Sequence, residues 1–128
     1  KVGADFNATW NVDKVGGHEK AFCCFNASAR DYARVGQALM SGDPKIASTS
    51  WKARLSTSAV KLDYGWGYGA QMWHPFPGIN LMMGLHGQYI YMDALNDTVI
   101  VKLSDIPTSS DGISAKIAPV LREIAEKN

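Results

Sequence analysis

The fold is decided by residues 83–93, MGLHGQYIYMD, and residues 97–104, DTVIVKLS. In the first stretch two tyrosines alternate with isoleucine and methionine, which is the two-residue period of a strand. In the second stretch, alternate residues from Val99 to Leu103 share one apolar face. The link between them, residues 93–97, is rich in the aspartate and asparagine that reverse a chain. The two stretches therefore predict an antiparallel β-hairpin.

Two glycines, Gly84 and Gly87, lie just before this hairpin. The apolar run from Ile79 to His86 predicts another strand; Gly84 falls within it and Gly87 directly follows it. Glycine weakens a strand and is tolerated where another backbone or a ligand approaches closely. This region is therefore a candidate wall of a substrate cleft.

Helix signals lie in the first half of the chain. Ser28 and Asp31 form a variant capping box, in which the hydroxyl accepts a backbone N–H and the carboxylate lies near the positive helix end. Apolar residues follow at helical spacing, and Gly42 stands where a left-handed residue ends a helix. A second, shorter helix is predicted to begin at Ser48 or Thr49.

The middle of the chain is rich in aromatic residues and glycines. Between Tyr64 and Trp73 this composition predicts a strand that is entered through a glycine-rich bend. The predicted order along the chain is two helices, then a run of strands that ends with the hairpin, then a helix. This order corresponds to an α+β fold.

The last predicted element is an amphipathic helix. A loop containing Pro107 leads to Asp111 as its expected cap, and an apolar stripe follows at helical spacing. Pro119 lies inside the stripe and removes one hydrogen bond. Either the helix kinks there or its regular part begins near Ala118.

Composition excludes several classes of function. With 128 residues a single domain is expected, and a formal charge of +1 leaves no basic field for nucleic acid. No apolar run reaches the roughly 18 residues that a membrane span needs, so we expect a soluble protein without a membrane partner. The three histidines are scattered, and the adjacent Cys23 and Cys24 are predicted to be small buried residues rather than a disulfide. We expect no metal and no cofactor.

Three stretches together resemble a known family. They are FNASARDYARVG at residues 25–36, GLHGQ at residues 84–88 and DTVIVKLS at residues 97–104. In this order and at these separations they are similar to the C-terminal part of the 6-aminohexanoate-dimer hydrolases, which are serine hydrolases of the β-lactamase and penicillin-binding protein fold. The resemblance covers most of the chain and implies antiparallel strands packed against a C-terminal helix.

The resemblance also implies that residues 1–128 are the C-terminal fragment of a larger domain. About residues 1–60 would be its helical region, and about residues 61–128 its antiparallel strands and C-terminal helix. The family needs a Ser-x-x-Lys nucleophile at a helix start. It also needs a Tyr-x-Asn or Tyr-x-Ser element that handles protons. Ser58-Ala59-Val60-Lys61 fits by letter but follows a helix, and no tyrosine precedes Asn or Ser by two positions. The nucleophile is therefore expected upstream of Lys1, and the chain alone is expected to be inactive.

By resemblance, this chain supplies one wall of the active site. The triplet that aligns with the Lys-Thr-Gly of β-lactamases is Met82-Met83-Gly84, and its lack of a lysine argues against recognition of a β-lactam carboxylate. The backbone N–H of Leu85, which follows Gly84, is expected to donate to the oxyanion. An ordinary core strand is the alternative.

Five further residues are expected to contact substrate, and each has a structural alternative. They are Asn26, Trp66, Tyr68, Trp73 and His86. Asn26 could instead cap the first helix, the three aromatic side chains could belong to the core, and His86 could make a structural hydrogen bond.

The sequence therefore predicts a serine hydrolase that acts through an acyl-enzyme on small amides or carboxylic esters. The alternative is a non-catalytic ligand-binding or interaction protein on the same fold. The strand Thr98–Leu103 is expected to be an apolar sheet edge. We expect it to be covered by the missing N-terminal part of the same protein or by self-association.

Overall fold

The computed structural model describes residues 2–106 and 111–127 of the chain. Its helices and strands in chain order are β1 (Thr9–Trp10), β2 (Phe25–Asn26), α1 (Ala29–Met40), α2 (Thr49–Leu55), β3 (Val60–Lys61), β4 (Gly67–Gly69), β5 (Met72–His74), β6 (Ile79–Met83), β7 (Tyr89–Asp93), β8 (Thr98–Lys102) and α3 (Asp111–Glu126). The predicted loop through residues 107–110 lies outside the described residues.

The main sheet of the described residues has six antiparallel strands in the order β3-β4-β5-β6-β7-β8. Each strand pairs with its neighbour in sequence, so the sheet is a continuous meander. β1 and β2 form a separate two-stranded sheet. The α+β class and the C-terminal helix are thereby confirmed.

The predicted hairpin is confirmed by β7 and β8, and β7 lies between two apolar clusters. Tyr89 and Tyr91 pack with α3 on one face of the sheet. Ile90 and Met92 pack with α1 and α2 on the other face. All five residues of β7 are buried, because helices cover both faces of the sheet at this strand.

The turn between β7 and β8 is built on Asp93. Its buried Oδ1 accepts the backbone N–H groups of Leu95 at 3.0 Å and Asn96 at 3.1 Å. Asp97 adopts a left-handed φ of 47°, which aspartate tolerates better than most residues. The polar link that predicted the turn therefore forms it directly.

Helix α1 begins and ends as its capping residues predict. Ser28 Oγ accepts the N–H of Asp31 at 3.1 Å and donates to the Asp31 carboxylate at 2.8 Å. Gly42, just after the helix, has a φ of 77°. At Gly36 the helix lies against β8, where an added Cβ would be 2.7 Å from Val99 Cγ1. Glycine at that position permits the close approach.

The other two helices confirm one prediction and correct another. Ser48 caps α2 by accepting the N–H of Trp51 at 3.2 Å. Helix α3 runs from Asp111 to Glu126 through Pro119, so the alternative of a regular helix that begins near residue 118 is wrong. Proline has no N–H to donate to the carbonyl one helical turn earlier. Because Pro119 is exposed, water can reach that carbonyl instead. None of the helices in the described ranges is long and apolar enough to span a membrane.

The predicted strand pattern is incomplete. The region from Tyr64 to Trp73 contains two strands, β4 and β5, joined by Ala70 and Gln71 at positive φ. The predicted order also omits β1, β2 and β3. The tight turn was missed because its two central residues are not the asparagine and glycine that usually adopt this conformation.

Strand β8 lies at an edge of the main sheet. Within the described residues it pairs only with β7. All five of its residues are half-buried, because α1 and α3 contact its two faces. The position of the predicted edge is therefore observed, and the identity of what covers it stays a prediction.

Candidate functional site

A tight turn joins β6 to β7 and carries the predicted oxyanion residue. The strand ends one residue before Gly84, so the expected continuation to His86 is wrong and Leu85 lies in the turn. The N–H of Gly87 donates to the Gly84 carbonyl at 3.1 Å, and the N–H of Gly84 donates to the Gln88 carbonyl at 2.9 Å. Gly87 has a φ of 78°. This is a three-residue hairpin loop with a left-handed glycine at its third position.

Two side chains hold this turn in place. Gln88 Oε1 accepts the N–H of His86 at 3.1 Å, and Gln88 Nε2 donates to the carbonyl of Ser104 at 2.8 Å. Lys102 Nζ donates to the carbonyl of Gly87 at 2.9 Å. The turn is therefore tied to β8 and to the residues that follow β8.

A cleft of about 880 Å³ opens beside the turn. Its volume lies in the range of small-molecule sites. Residues from all three stretches that carry the family resemblance line it, although these stretches are far apart in sequence. The lining residues are Asn11, residues 22–27, Tyr32, residues 83–86, Gln88, Leu103 and Ser104.

Four of the predicted site residues meet in this cleft. Gly84, Leu85, His86 and Asn26 all line it. Leu85 is 71% exposed, so its side chain is not part of an apolar core. His86 Nδ1 lies 2.9 Å from the carbonyl oxygen of Ile106, which is the structural hydrogen bond foreseen as the alternative for this residue.

Asn26 lies in the wall of the cleft and does not cap helix α1. The capping alternative is wrong because Ser28 is the cap. The side-chain Nδ2 of Asn26 instead donates to the carbonyl of Cys24 at 3.1 Å. The amide is thus held in the wall of the cleft by the segment that precedes the helix.

The other three predicted substrate contacts lie apart from this cleft. Trp73 packs edge-to-face against Trp66 and Tyr68, with ring centroids 6.4 Å and 4.9 Å apart. Trp66 and Trp73 also pack against the cluster formed by β7 and α3. Their positions correspond to the core packing foreseen as the alternative.

Ser58 does not occupy the position that a nucleophile of this family needs. It lies in the connection between α2 and β3, and not at a helix N-terminus. Its Oγ donates to the carbonyl of Val60 at 2.7 Å. Ser58 is not among the residues that line the cleft beside Leu85. The structure therefore agrees with the sequence argument against Ser58.

Uncharged side chains and His86 line the cleft. Among the described residues that line it there is no Asp, Glu, Lys or Arg. The hydroxyl of Tyr32 donates to the carbonyl of Phe25 at 2.6 Å, and burial raises the pKa of Tyr32 above its ordinary value. Tyr32 is therefore a neutral donor near pH 7 and not a general base. Such a wall suits uncharged substrate groups.

A smaller apolar cavity of about 210 Å³ adjoins the cleft. The two share Tyr32, Met83, Gly84, Gln88 and Leu103. Met82 and Val101 extend the apolar lining away from the turn. An apolar branch of this size can hold a small hydrocarbon group. Sequence reasoning did not identify it, because its lining residues look like ordinary sheet residues.

Cys23 and Cys24 form a disulfide, so the prediction of two unbridged buried residues is wrong. Both cysteines are half-buried and line the cleft. Cys24 has a φ of 73°, which is uncommon for a residue with a side chain. The adjacency of the two cysteines was the only sequence signal for this feature.

The arrangement can bind a neutral carbonyl compound. It combines a tight turn, a largely apolar wall whose described lining has no Asp, Glu, Lys or Arg, and a smaller apolar branch. Within residues 2–106 and 111–127, no three His, Cys, Asp or Glu side chains are grouped to hold a metal ion. No protein-family model matches this chain.

Proposed function

We propose that this chain is the C-terminal part of a serine hydrolase with the β-lactamase-like fold. The enzyme acts through an acyl-enzyme on small amides or carboxylic esters. This chain supplies the turn of the oxyanion hole, and the Ser-x-x-Lys nucleophile lies upstream of Lys1. One observation carries the proposal: the three stretches that resemble the 6-aminohexanoate-dimer hydrolases line a single cleft.

This convergence is more informative than the three similarities taken separately. Residues 25–36 lead into and form α1, residues 84–88 form the β6–β7 turn, and residues 97–104 contain β8. If the three stretches resembled the family only in strand or helix propensity, each would adopt its local structure, but they would not be expected to meet. A shared substrate site is a reason for all three to meet.

The turn suits the role proposed for Leu85. During attack on a carbonyl, negative charge develops on its oxygen, and fixed backbone N–H groups stabilise that charge. Gln88 and Lys102 hold the turn by hydrogen bonds at 2.8 to 3.1 Å, so the backbone at Leu85 is fixed in position before substrate binds. The second donor in this proposal is the N–H of the upstream serine. The absence of charged groups among the described lining residues favours a neutral amide or ester.

The same proposal assigns a partner to the edge strand. A strand from the N-terminal part of the protein, or a second copy of this chain, pairs with Thr98–Leu103. Sedimentation of residues 1–128 at increasing concentration is expected to reveal self-association. Strictly monomeric behaviour at high concentration would contradict this assignment.

Active-site labelling tests the nucleophile. The protein that includes the residues preceding Lys1 is treated with a serine-reactive phosphonate, and the adduct is located by mass spectrometry. The expected label is on the serine of an upstream Ser-x-x-Lys sequence. A label within residues 1–128, at Ser58 or Ser104, overturns the assignment. If no serine reacts although small esters bind, the non-catalytic ligand-binding alternative replaces it.

A matched pair of variants tests the oxyanion donor. Leu85 is the second residue of the turn that begins at Gly84, where proline is well tolerated. Leu85→Pro removes the N–H, whereas Leu85→Ala keeps it. We expect kcat of the complete enzyme to fall by about 10²- to 10³-fold for the proline variant and little for the alanine variant. Equal losses in both would contradict a backbone role.

A further inference from the structure

The disulfide between Cys23 and Cys24 lies in the wall of the candidate cleft. Both residues line the same cavity as Leu85 and His86, and both are only half-buried. The aromatic side chain just before them, Phe22, is 86% exposed. The two sulfur atoms therefore belong to a surface segment, at a place that small molecules can reach.

The backbone at these cysteines is connected to the rest of the cleft wall by hydrogen bonds. The carbonyl of Cys24 accepts the N–H of Asn11 at 3.1 Å and Nδ2 of Asn26 at 3.1 Å. The carbonyl of Cys23 accepts Nε1 of Trp10 at 3.0 Å. A change of backbone conformation at the cysteines would therefore release the Asn26 amide, whereas the indole of Trp10 keeps a second acceptor, the carbonyl of Lys20 at 3.0 Å.

Such a change is available when the disulfide opens. Cys24 has a φ of 73°, a left-handed conformation that residues with a side chain rarely adopt. The bond between neighbouring cysteines restricts the backbone of both residues. When the bond is absent, this restraint is removed and Cys24 can return to a negative φ, a change that reorients the carbonyl to which Asn11 and Asn26 donate.

We propose that Cys23–Cys24 is a site of reversible thiol–disulfide exchange with dithiols, and that its redox state sets the position of Asn26 in the cleft. A thiolate of the dithiol attacks one cysteine sulfur, the S–S bond breaks, and the other cysteine leaves as a thiolate. The second thiol of the reductant then resolves the mixed disulfide. The dithiol becomes a cyclic disulfide, and the two hydrogens that it loses end on Cys23 and Cys24. This inference goes beyond the proposed hydrolase activity and does not depend on it.

Thiol labelling of the folded protein tests the exchange. The purified protein is incubated with dithiothreitol without denaturant, treated with iodoacetamide and weighed by mass spectrometry. We expect two alkylated cysteines per chain after reduction and none before it. Phenylarsine oxide, which binds paired thiols, should block this labelling, and oxidised dithiothreitol should reverse the reduction. Two thiols that label before reduction, or a bond that reduces only in denaturant, would overturn the proposal.

Side-chain amide resonances test the link to the cleft. On reduction we expect the Asn26 side-chain resonances to shift. Those of Asn80, whose Nδ2 donates to Ser56 Oγ at 3.0 Å away from the disulfide, should stay in place. In the double variant Cys23→Ser, Cys24→Ser, the Asn26 resonances should lie where they do in the reduced protein. Addition of dithiothreitol should not shift them. An Asn26 signal that is unchanged by reduction would refute control of the cleft by this bond.

Discussion

Two tyrosines on one face of β7 differ in their hydrogen bonding, and this difference makes a sharp prediction about stability. Tyr89 and Tyr91 both pack in the cluster shared with α3. The hydroxyl of Tyr89 and Oγ of Ser114 lie 3.0 Å apart, and both are buried. Among the described residues, the buried hydroxyl of Tyr91 has no hydrogen-bond partner. Replacing each tyrosine by phenylalanine should therefore change stability in opposite directions.

The expected magnitudes follow from the cost of burying a polar group. A buried hydroxyl without a partner costs about 1–3 kcal/mol, and the phenylalanine ring keeps the apolar contacts of the tyrosine. We expect Tyr91→Phe to raise the free energy of unfolding by about 1 kcal/mol. Tyr89→Phe removes a hydrogen bond and leaves Ser114 without its partner, which should lower the free energy of unfolding by about 1–2 kcal/mol.

Alkaline pH adds an independent test at Tyr91. Burial first, and the charge of Asp93 second, raise the pKa of Tyr91 to about 12 from its ordinary value of 10.0. Because the folded pKa is the higher one, ionisation of Tyr91 has no effect on stability below about pH 10, and the stability present there is progressively lost as pH rises towards about 12. From about pH 8 to about pH 11 the advantage of Tyr91→Phe over the wild type should grow by about 1 kcal/mol, after allowance for screening by solvent.

Urea unfolding followed by circular dichroism measures all three proteins at both pH values. The slope against urea should be the same in each, because the variants expose similar surface on unfolding. Equal destabilisation by both substitutions would refute the reasoning about the unpartnered hydroxyl. A gap between wild type and Tyr91→Phe that stays constant with pH would refute the reasoning about its ionisation.

Substitutions at three further positions test how the fold around the cleft is held together. Gly36→Ala should destabilise the protein by about 1–3 kcal/mol in urea unfolding, because its Cβ meets β8, and a neutral effect would contradict the close approach. Gln88→Ala should speed hydrogen exchange at the His86 amide, whereas Gln88→Glu keeps the acceptor and should exchange more slowly than the alanine variant. The backbone N–H of Asp5, above all, lowers the pKa of Asp31 from its ordinary value of 3.8, so Asp31 stabilises the fold above that pH and this stability is lost as pH falls. In Asp31→Asn, the midpoint of urea unfolding should therefore fall less steeply as pH is lowered than it does in the wild type. The same pH dependence in both proteins would contradict this.

Local signals predicted the hairpin and the first helix correctly. The alternation of residues 88–92 and the polar link at residues 93–97 specify β7, its turn and β8 without reference to distant parts of the chain. Ser28, Asp31 and Gly42 likewise fix both ends of α1. These features depend on neighbours within a few residues, so a single sequence contains the information for them.

Features that depend on unusual backbone conformations were not predicted. Ala70 and Gln71 form a tight turn at positive φ without the usual residue types. Cys24 adopts a positive φ next to its disulfide partner. Gly84 ends a strand that hydrophobicity alone would extend. In each case the rest of the fold favours a conformation that local propensity disfavours or leaves open.

The candidate site combines both kinds of feature. Neighbouring residues determine the structure of each of its segments, whereas contacts between distant parts of the chain bring these segments together. The turn at residues 84–87 has its own sequence signature, but its place beside residues 25–27 depends on where α1 rests on the sheet. That position depends on Gly36, where the helix meets β8, while Gln88 fixes the other side of the cleft by tying the turn to the chain after β8. Because Gly36 and Gln88 position the two sides of the cleft, substitution of either residue should alter the width of the cleft.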